Sequence, residues 1–104
     1  MSVELTAADL GAPLGARATV VEFSSAFCAP CRATRLVVER AVATTQDVAF
    51  VDLDVARHLE LGERLGIDST PTVLVLDATG AVRRRATGTP TLAQVRAAIA
   101  VAGG

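Results

Sequence analysis

Tryptophan, tyrosine and lysine are missing from this 104-residue chain, which also holds one histidine and two cysteines. With His58 the sole histidine and no second cysteine pair, a four-ligand zinc site lacks its protein ligands, so no metal is expected. Neither charge sign forms a block. Ten arginines supply all the basic charge against eleven acids, for a net charge of −1, and nothing in that balance recruits nucleic acid or an anionic membrane. Apolar runs such as Val73-Leu74-Val75-Leu76 fall far short of the roughly 20 residues that cross a bilayer. The N-terminal MSVELTAADL has no basic segment leading into an apolar stretch, as a secretory leader would. A cytosolic protein is therefore expected, and in that reducing compartment two cysteines serve catalysis or metal binding more readily than stapling. Repeats, low-complexity tracts and linkers are also lacking. One domain over residues 1–104 is expected, large enough to bury a core without disulfide or metal support.

What is present reads as alternating elements. Thr6-Ala7-Ala8-Asp9 has capping-box spacing and predicts a short helix ending at Gly11-Ala12-Pro13. Ala18 to Phe23 is β-branched and apolar except for Glu22, as expected of a strand covered on both faces. Arg32 to Thr45 spaces Leu36, Val37, Val38, Ala41 and Val42 for a helix with one apolar side. Val48 to Leu53 predicts a second strand, and Val55 to Leu65 a second long helix stopped by Gly66. Thr72 to Leu76, the turn Asp77-Ala78-Thr79-Gly80 and Ala81 to Ala86 predict a β-hairpin. A last helix starts near Thr91, with Gln94 as its capping-box partner and Leu92, Val95, Ile99 and Val101 inward. The order βαβα–ββα, with an extra N-terminal element, predicts an α/β fold: one mixed sheet with helices on both faces.

Both cysteines lie in Ser25-Ala26-Phe27-Cys28-Ala29-Pro30-Cys31-Arg32, between the first strand and the helix after it. Cys28 then falls at the helix N-cap, where its sulfur meets the N–H of Cys31. Unpaired N–H groups and the positive helix end favour thiolate, the nucleophilic form. Cys31, three residues on, shares the helix face and can close a disulfide with little backbone movement. Pro30 sits where a helix does not use its N–H internally, and its fixed φ holds the turn rigid. Two inert core cysteines would suit the helix interior rather than its start beside a proline. The residues favour a reversible dithiol. Glu22 shares one side of its strand with Val20 and Ser24; buried there, its charge would be costly and its pKa raised, whereas on a solvated strand end it would be ordinary.

With Phe27-Cys28-Ala29-Pro30-Cys31-Arg32 after a buried strand and Thr70-Pro71-Thr72 before the hairpin, the chain resembles thioredoxin over nearly its whole length. The resemblance implies the thioredoxin fold, a cis bond before Pro71 facing the dithiol, and a glycine-bearing turn at Gly88. It implies that Thr70 offers backbone groups to an extended substrate segment. Phe27, Ala29, Pro30, Thr70, Pro71 and Gly88 would form an apolar lip. By the same resemblance Cys28 is the nucleophile, Cys31 the resolving cysteine, and Glu22 stands for the buried aspartate that exchanges a proton with the second cysteine. Departures are plain: Ser24 and Phe27 replace two family tryptophans, Ala29 replaces the motif glycine, Glu22 is one methylene longer, Phe50 corresponds to a family lysine, and Leu36 replaces a kinking proline.

The expected activity is reduction of disulfides in client proteins, with no cofactor, a thioredoxin-reductase-like or other thiol electron donor, and a monomeric chain. Two alternatives stand beside it: a binding or adaptor module of the same fold serving a dedicated partner, and a disulfide isomerase or oxidant. His58 reads as a solvated surface residue. Arg83-Arg84-Arg85 reads as charge protecting a sheet edge, and Asp52 and Asp54 as cap and turn residues.

Overall fold

The apolar run at Ala18 becomes the middle of a sheet because every residue of it finds cover. In the computed structural model, which describes residues 3–104 and so leaves Met1 and Ser2 outside it, the elements are α1 (Ala7–Leu10), β1 (Ala18–Ser24), α2 (Ala29–Ala43), β2 (Val48–Asp54), a 3-10 turn (Val55–Arg57), α3 (Leu59–Leu65), β3 (Thr72–Asp77), β4 (Val82–Thr87) and α4 (Leu92–Gly103). The sheet order is β2-β1-β3-β4. β1 runs parallel to β2, from Ala18 opposite Val48 to Ser24 opposite Asp54, and antiparallel to β3. β3 and β4 are antiparallel, with an irregularity between Val75 and Leu76.

Alternation along β1 divides the core in two. Val21 and Phe23 pack with Leu5, Leu10, Leu61 and Leu65 under α1 and α3, while Ala18 and Val20 pack with Val38, Ala41, Val95 and Ile99 under α2 and α4. Helices thus cover both faces, and the N-terminal element is present. Both expected capping boxes form: Thr6 with Asp9 at α1, and Thr91 with Gln94 at α4.

The sequence expectation of one helix from Val55 to Leu65 is wrong. The Asp54 carboxylate accepts the Ala56 N–H at 2.9 Å and caps a single 3-10 turn, which ends at His58 before α3 begins. On one straight helix Val55 and Leu61 would point about 120° apart, yet both pack against the same core. Leu61 is buried with Leu65, and Leu59 is 68% exposed. The same geometry corrects two further residues. α2 buries Cys31, Thr34, Val38 and Ala41, which turns Leu36 to solvent at 63% exposure. α4 buries Val95, Ile99 and Ala102, and Val101 faces outward.

β4 is an edge strand, and Arg83, Arg84 and Arg85 lie along it. Two of them also tie elements together. Arg83 pairs with Asp77 at 3.3 Å, and Arg85 donates to the carbonyls of Leu65 and Gly66 at the end of α3. No helix among the described residues is long and apolar enough to cross a membrane.

Candidate active site

The C-terminal end of β1 delivers the chain to the start of α2, and the cysteines sit at that junction. Cys28 is the N-cap in extended conformation, and its Sγ accepts the Cys31 N–H at 3.2 Å. Cys28 and Cys31 form a disulfide, with Cα atoms 5.2 Å apart. Cys28 is half-buried, whereas Cys31 is 4% exposed. Pro30 lies in the first helical turn, where its missing N–H costs no intrahelical bond. On reduction, the donor that holds Cys28 Sγ and the helix end behind it favour a thiolate at Cys28.

Glu22 is fully buried, and neither carboxylate oxygen has a hydrogen-bond partner among the described residues. Burial pushes its pKa up from 4.5 to about 7, the Asp52 carboxylate adds to the rise, Arg35 opposes it and Glu39 adds a little. Register explains the second cause. The resemblance matches a family lysine to Phe50, but Phe50 pairs with Val20, and Asp52 is the residue opposite Glu22. Asp52 also accepts a hydrogen bond from Ser24 Oγ at 2.8 Å and has Arg35 Nη1 at 3.8 Å. An acid therefore faces the buried acid, and Glu22 changes protonation near neutral pH.

The expected lip divides by exposure. Phe27 is fully exposed, Ala29, Pro30 and Gly88 are exposed, Thr70 is half-buried and Pro71 is buried. The Thr70–Pro71 peptide is cis. Phe27 has φ 60°, a left-handed conformation unusual for a bulky side chain. Gly88, at φ 80°, donates its N–H to the Pro71 carbonyl at 2.9 Å, so the residues at 71 and 88 are bonded neighbours.

Side-chain hydroxyls to which the sequence reading gave no role hold these loops together. Ser25 Oγ and Thr70 Oγ1 share a hydrogen bond of 2.9 Å between the cysteine loop and the proline loop. Thr34 donates to Thr89 Oγ1 at 2.9 Å, and Thr89 donates to the Pro30 carbonyl at 3.2 Å, joining α2 to the segment after β4. Thr72 Oγ1 donates to the Ser69 carbonyl at 2.7 Å. One signal was available: Thr34 stands three after Cys31 and four before Val38, a polar side chain in the stripe α2 turns inward. His58 is half-buried, with Nδ1 3.0 Å from the Asp54 carbonyl, at the break before α3. Asp54 is a cap, as expected; no group of three metal-ligating side chains occurs among the described residues.

A family model described as Thioredoxin matches residues 3–101. Over 69 residues the chain is 32% identical to a thioredoxin of Mycoplasma genitalium, covering 66% of this chain and 67% of that protein. It is 28% identical over 60 residues to thioredoxin-2 of Saccharomyces cerevisiae, covering 58% of each. The matched stretches span between 42% and 67% of the curated relatives' own length. Among solved structures, thioredoxin f from spinach chloroplast superposes with TM-score 0.74 at 27% identity, over 86% of this chain and 80% of that one. A mutant thioredoxin from Halobacterium salinarum superposes with TM-score 0.76 at 22% identity, over 85% and 76%, and shares the fold.

Proposed function

The chain belongs to the thioredoxin family, and from that premise we propose that it is a thiol–disulfide oxidoreductase of the reducing kind, acting on disulfides of client proteins. The observation that carries the reading is the Cys28–Cys31 disulfide at a helix start, with Cys28 Sγ bonded to the Cys31 N–H. In the reduced form the Cys28 thiolate attacks a client disulfide, giving a mixed disulfide and one client thiolate. Glu22 takes the proton of Cys31, whose thiolate attacks Cys28 Sγ, closing the intramolecular disulfide and releasing the second client thiolate. Two electrons pass from the dithiol to the client. The half-buried Cys28 against the buried Cys31 supports this assignment of attacker and resolver. Thr70 and Pro71 present backbone to an extended client segment, and Phe27, Ala29, Pro30 and Gly88 supply the surface around it. A thiol donor of the thioredoxin-reductase kind restores the dithiol, a single domain carries the chemistry, and the compartment is the cytosol.

Insulin reduction driven by dithiothreitol tests the reading. Turnover is expected from the native chain, loss of at least a hundredfold from Cys28→Ser, and trapping of mixed disulfides by Cys31→Ser. Turnover that survives Cys28→Ser overturns the assignment, and no turnover at all marks a binding module. A potential near that of thioredoxin, about −270 mV, fits a reductase, and one tens of millivolts higher marks an isomerase or oxidant.

A further inference from the structure

Beside the dithiol lies a cavity that shares Phe27 and the two cysteines with the client site and adds charged residues to them. It holds about 230 Å³ and is lined by Ser24, Phe27, Cys28, Arg32, Arg35 and Asp52 among others. At roughly 30 Å³ per water-sized volume, it takes a fragment of about eight non-hydrogen atoms. Ser24, a small residue, and Asp52 both line it, and the Ser24 hydroxyl donates to the Asp52 carboxylate at 2.8 Å. Two arginines and one acid, Asp52, are among its lining residues; Arg35 meets Asp52 at 3.8 Å and Glu39, outside the lining, at 4.0 Å. Arg32 has no carboxylate within ion-pair distance among the described residues, and it is exposed on the first turns of α2. Guanidinium forks recognise carboxylates in a planar, paired geometry.

We propose that this cavity is a subsite for small disulfides whose halves carry a carboxylate two or three bonds from sulfur, so that the chain reduces low-molecular-weight anionic disulfides as well as client proteins. The inference rests on the dithiol reading above. One half of such a molecule has about six non-hydrogen atoms and fits the volume, which puts its sulfur at Cys28 and its carboxylate at Arg32 and Arg35. The Cys28 thiolate attacks that sulfur, the S–S bond breaks and one carboxylate-bearing thiolate leaves. Cys31 thiolate then attacks Cys28 Sγ, the second thiolate leaves, and the dithiol has supplied both electrons. Without the arginines an anionic nucleophile and an anionic disulfide repel each other. The guanidinium groups invert that preference.

Dithiodipropionate (anionic) and its isosteric diamide, dithiodipropionamide (neutral), separate charge from shape, and the smaller cystamine adds the cationic case. With no tryptophan or tyrosine to report oxidation, pre-reduced protein is mixed with each, quenched with acid, alkylated and read by intact mass. The expected second-order rate constant for the anionic disulfide is at least tenfold above that for the neutral one, with the cationic one slowest. Salt at 0.5 M should shrink that ratio several-fold, because screening weakens exposed charge attraction. Arg32→Glu, on an exposed position that folding does not use, should bring the ratio to one or below. Insulin reduction by the same protein separates the two readings. If neither insulin nor any of the three is reduced, the dithiol reading falls and the subsite falls with it; if insulin is reduced and none of the three is, the subsite alone is overturned. If the neutral one is reduced but the anionic one is no faster, or if Arg32→Glu and salt leave the ratio unchanged, the subsite alone is overturned. Should the variant not fold, the salt series on the native chain decides.

Discussion

Glu22 shows how one side chain links burial to pH. Its folded pKa of about 7 lies above the ordinary 4.5, so the native state keeps a proton that the unfolded chain releases between those values. The stability this group contributes is full below pH 4.5 and is lost as pH rises through 7. From 4.5 to about 7, at roughly 1.4 kcal/mol per unit, the loss comes to about 3 kcal/mol. Glu22→Gln should therefore gain on the native chain by up to about 3 kcal/mol between pH 4 and pH 8. Urea unfolding at both pH values measures that difference; a constant difference means that Glu22 is not the titrating group. Phe27 offers a second test at this scale. Its side chain buries nothing and its φ is 60°, a conformation costing a bulky residue about 1–2 kcal/mol. Phe27→Gly should stabilise by up to about 1 kcal/mol after glycine's own entropy cost, while raising the KM for insulin. A lower denaturation midpoint would contradict the first expectation and an unchanged KM the second.

At the scale of elements, turns and caps decide where chain segments start and stop. Gly80 closes the β3–β4 turn at φ 90°, and the N–H of Leu5 donates to its carbonyl at 2.8 Å. A Cβ there would collide with the Leu5 carbonyl, whereas one at Gly66, the left-handed cap of α3 at φ 65°, meets no atom within 4 Å. Gly80→Ala should cost about 2 kcal/mol or more, and Gly66→Ala about 1 kcal/mol, in chemical denaturation. Equal costs would mean that the close approach of Leu5 does not matter. The capping boxes at α1 and α4 were legible because they depend on residues three apart. The break at His58 was not, because two apolar pairs, Val55 with Leu59 and Leu61 with Leu65, are each compatible with a helix, and only packing chooses between them.

At the scale of the whole molecule, charge at the sheet edges works against the pairing of like edges. β2 carries Asp52 and Asp54 on one edge and β4 carries three arginines on the other, so two β2 edges or two β4 edges repel. A monomer is expected. The Cα radius of gyration is 12.3 Å, close to the roughly 13 Å of a folded chain this long, and small-angle scattering should return a value near that. A value near 17 Å, expected for about twice the length, would show a dimer.

The sequence by itself determined the features that depend on near neighbours and residue type. These are the dithiol at a helix start, the proline between its cysteines, the capped helices, the hairpin turn and the order of strands and helices. Tertiary structure alone decided what depends on partners distant in the chain. Strand register set Asp52, and not Phe50, against Glu22 and so gave the buried acid its second source of destabilised charge. Packing chose Thr34 over Leu36 for the core, because a helix buries one stripe and the sheet beneath fixes which. The ties Ser25 to Thr70, Thr34 to Thr89 and Gly88 to Pro71 span 45, 55 and 17 residues. No local pattern encodes such distances, yet they bring the cysteine and proline loops into one site.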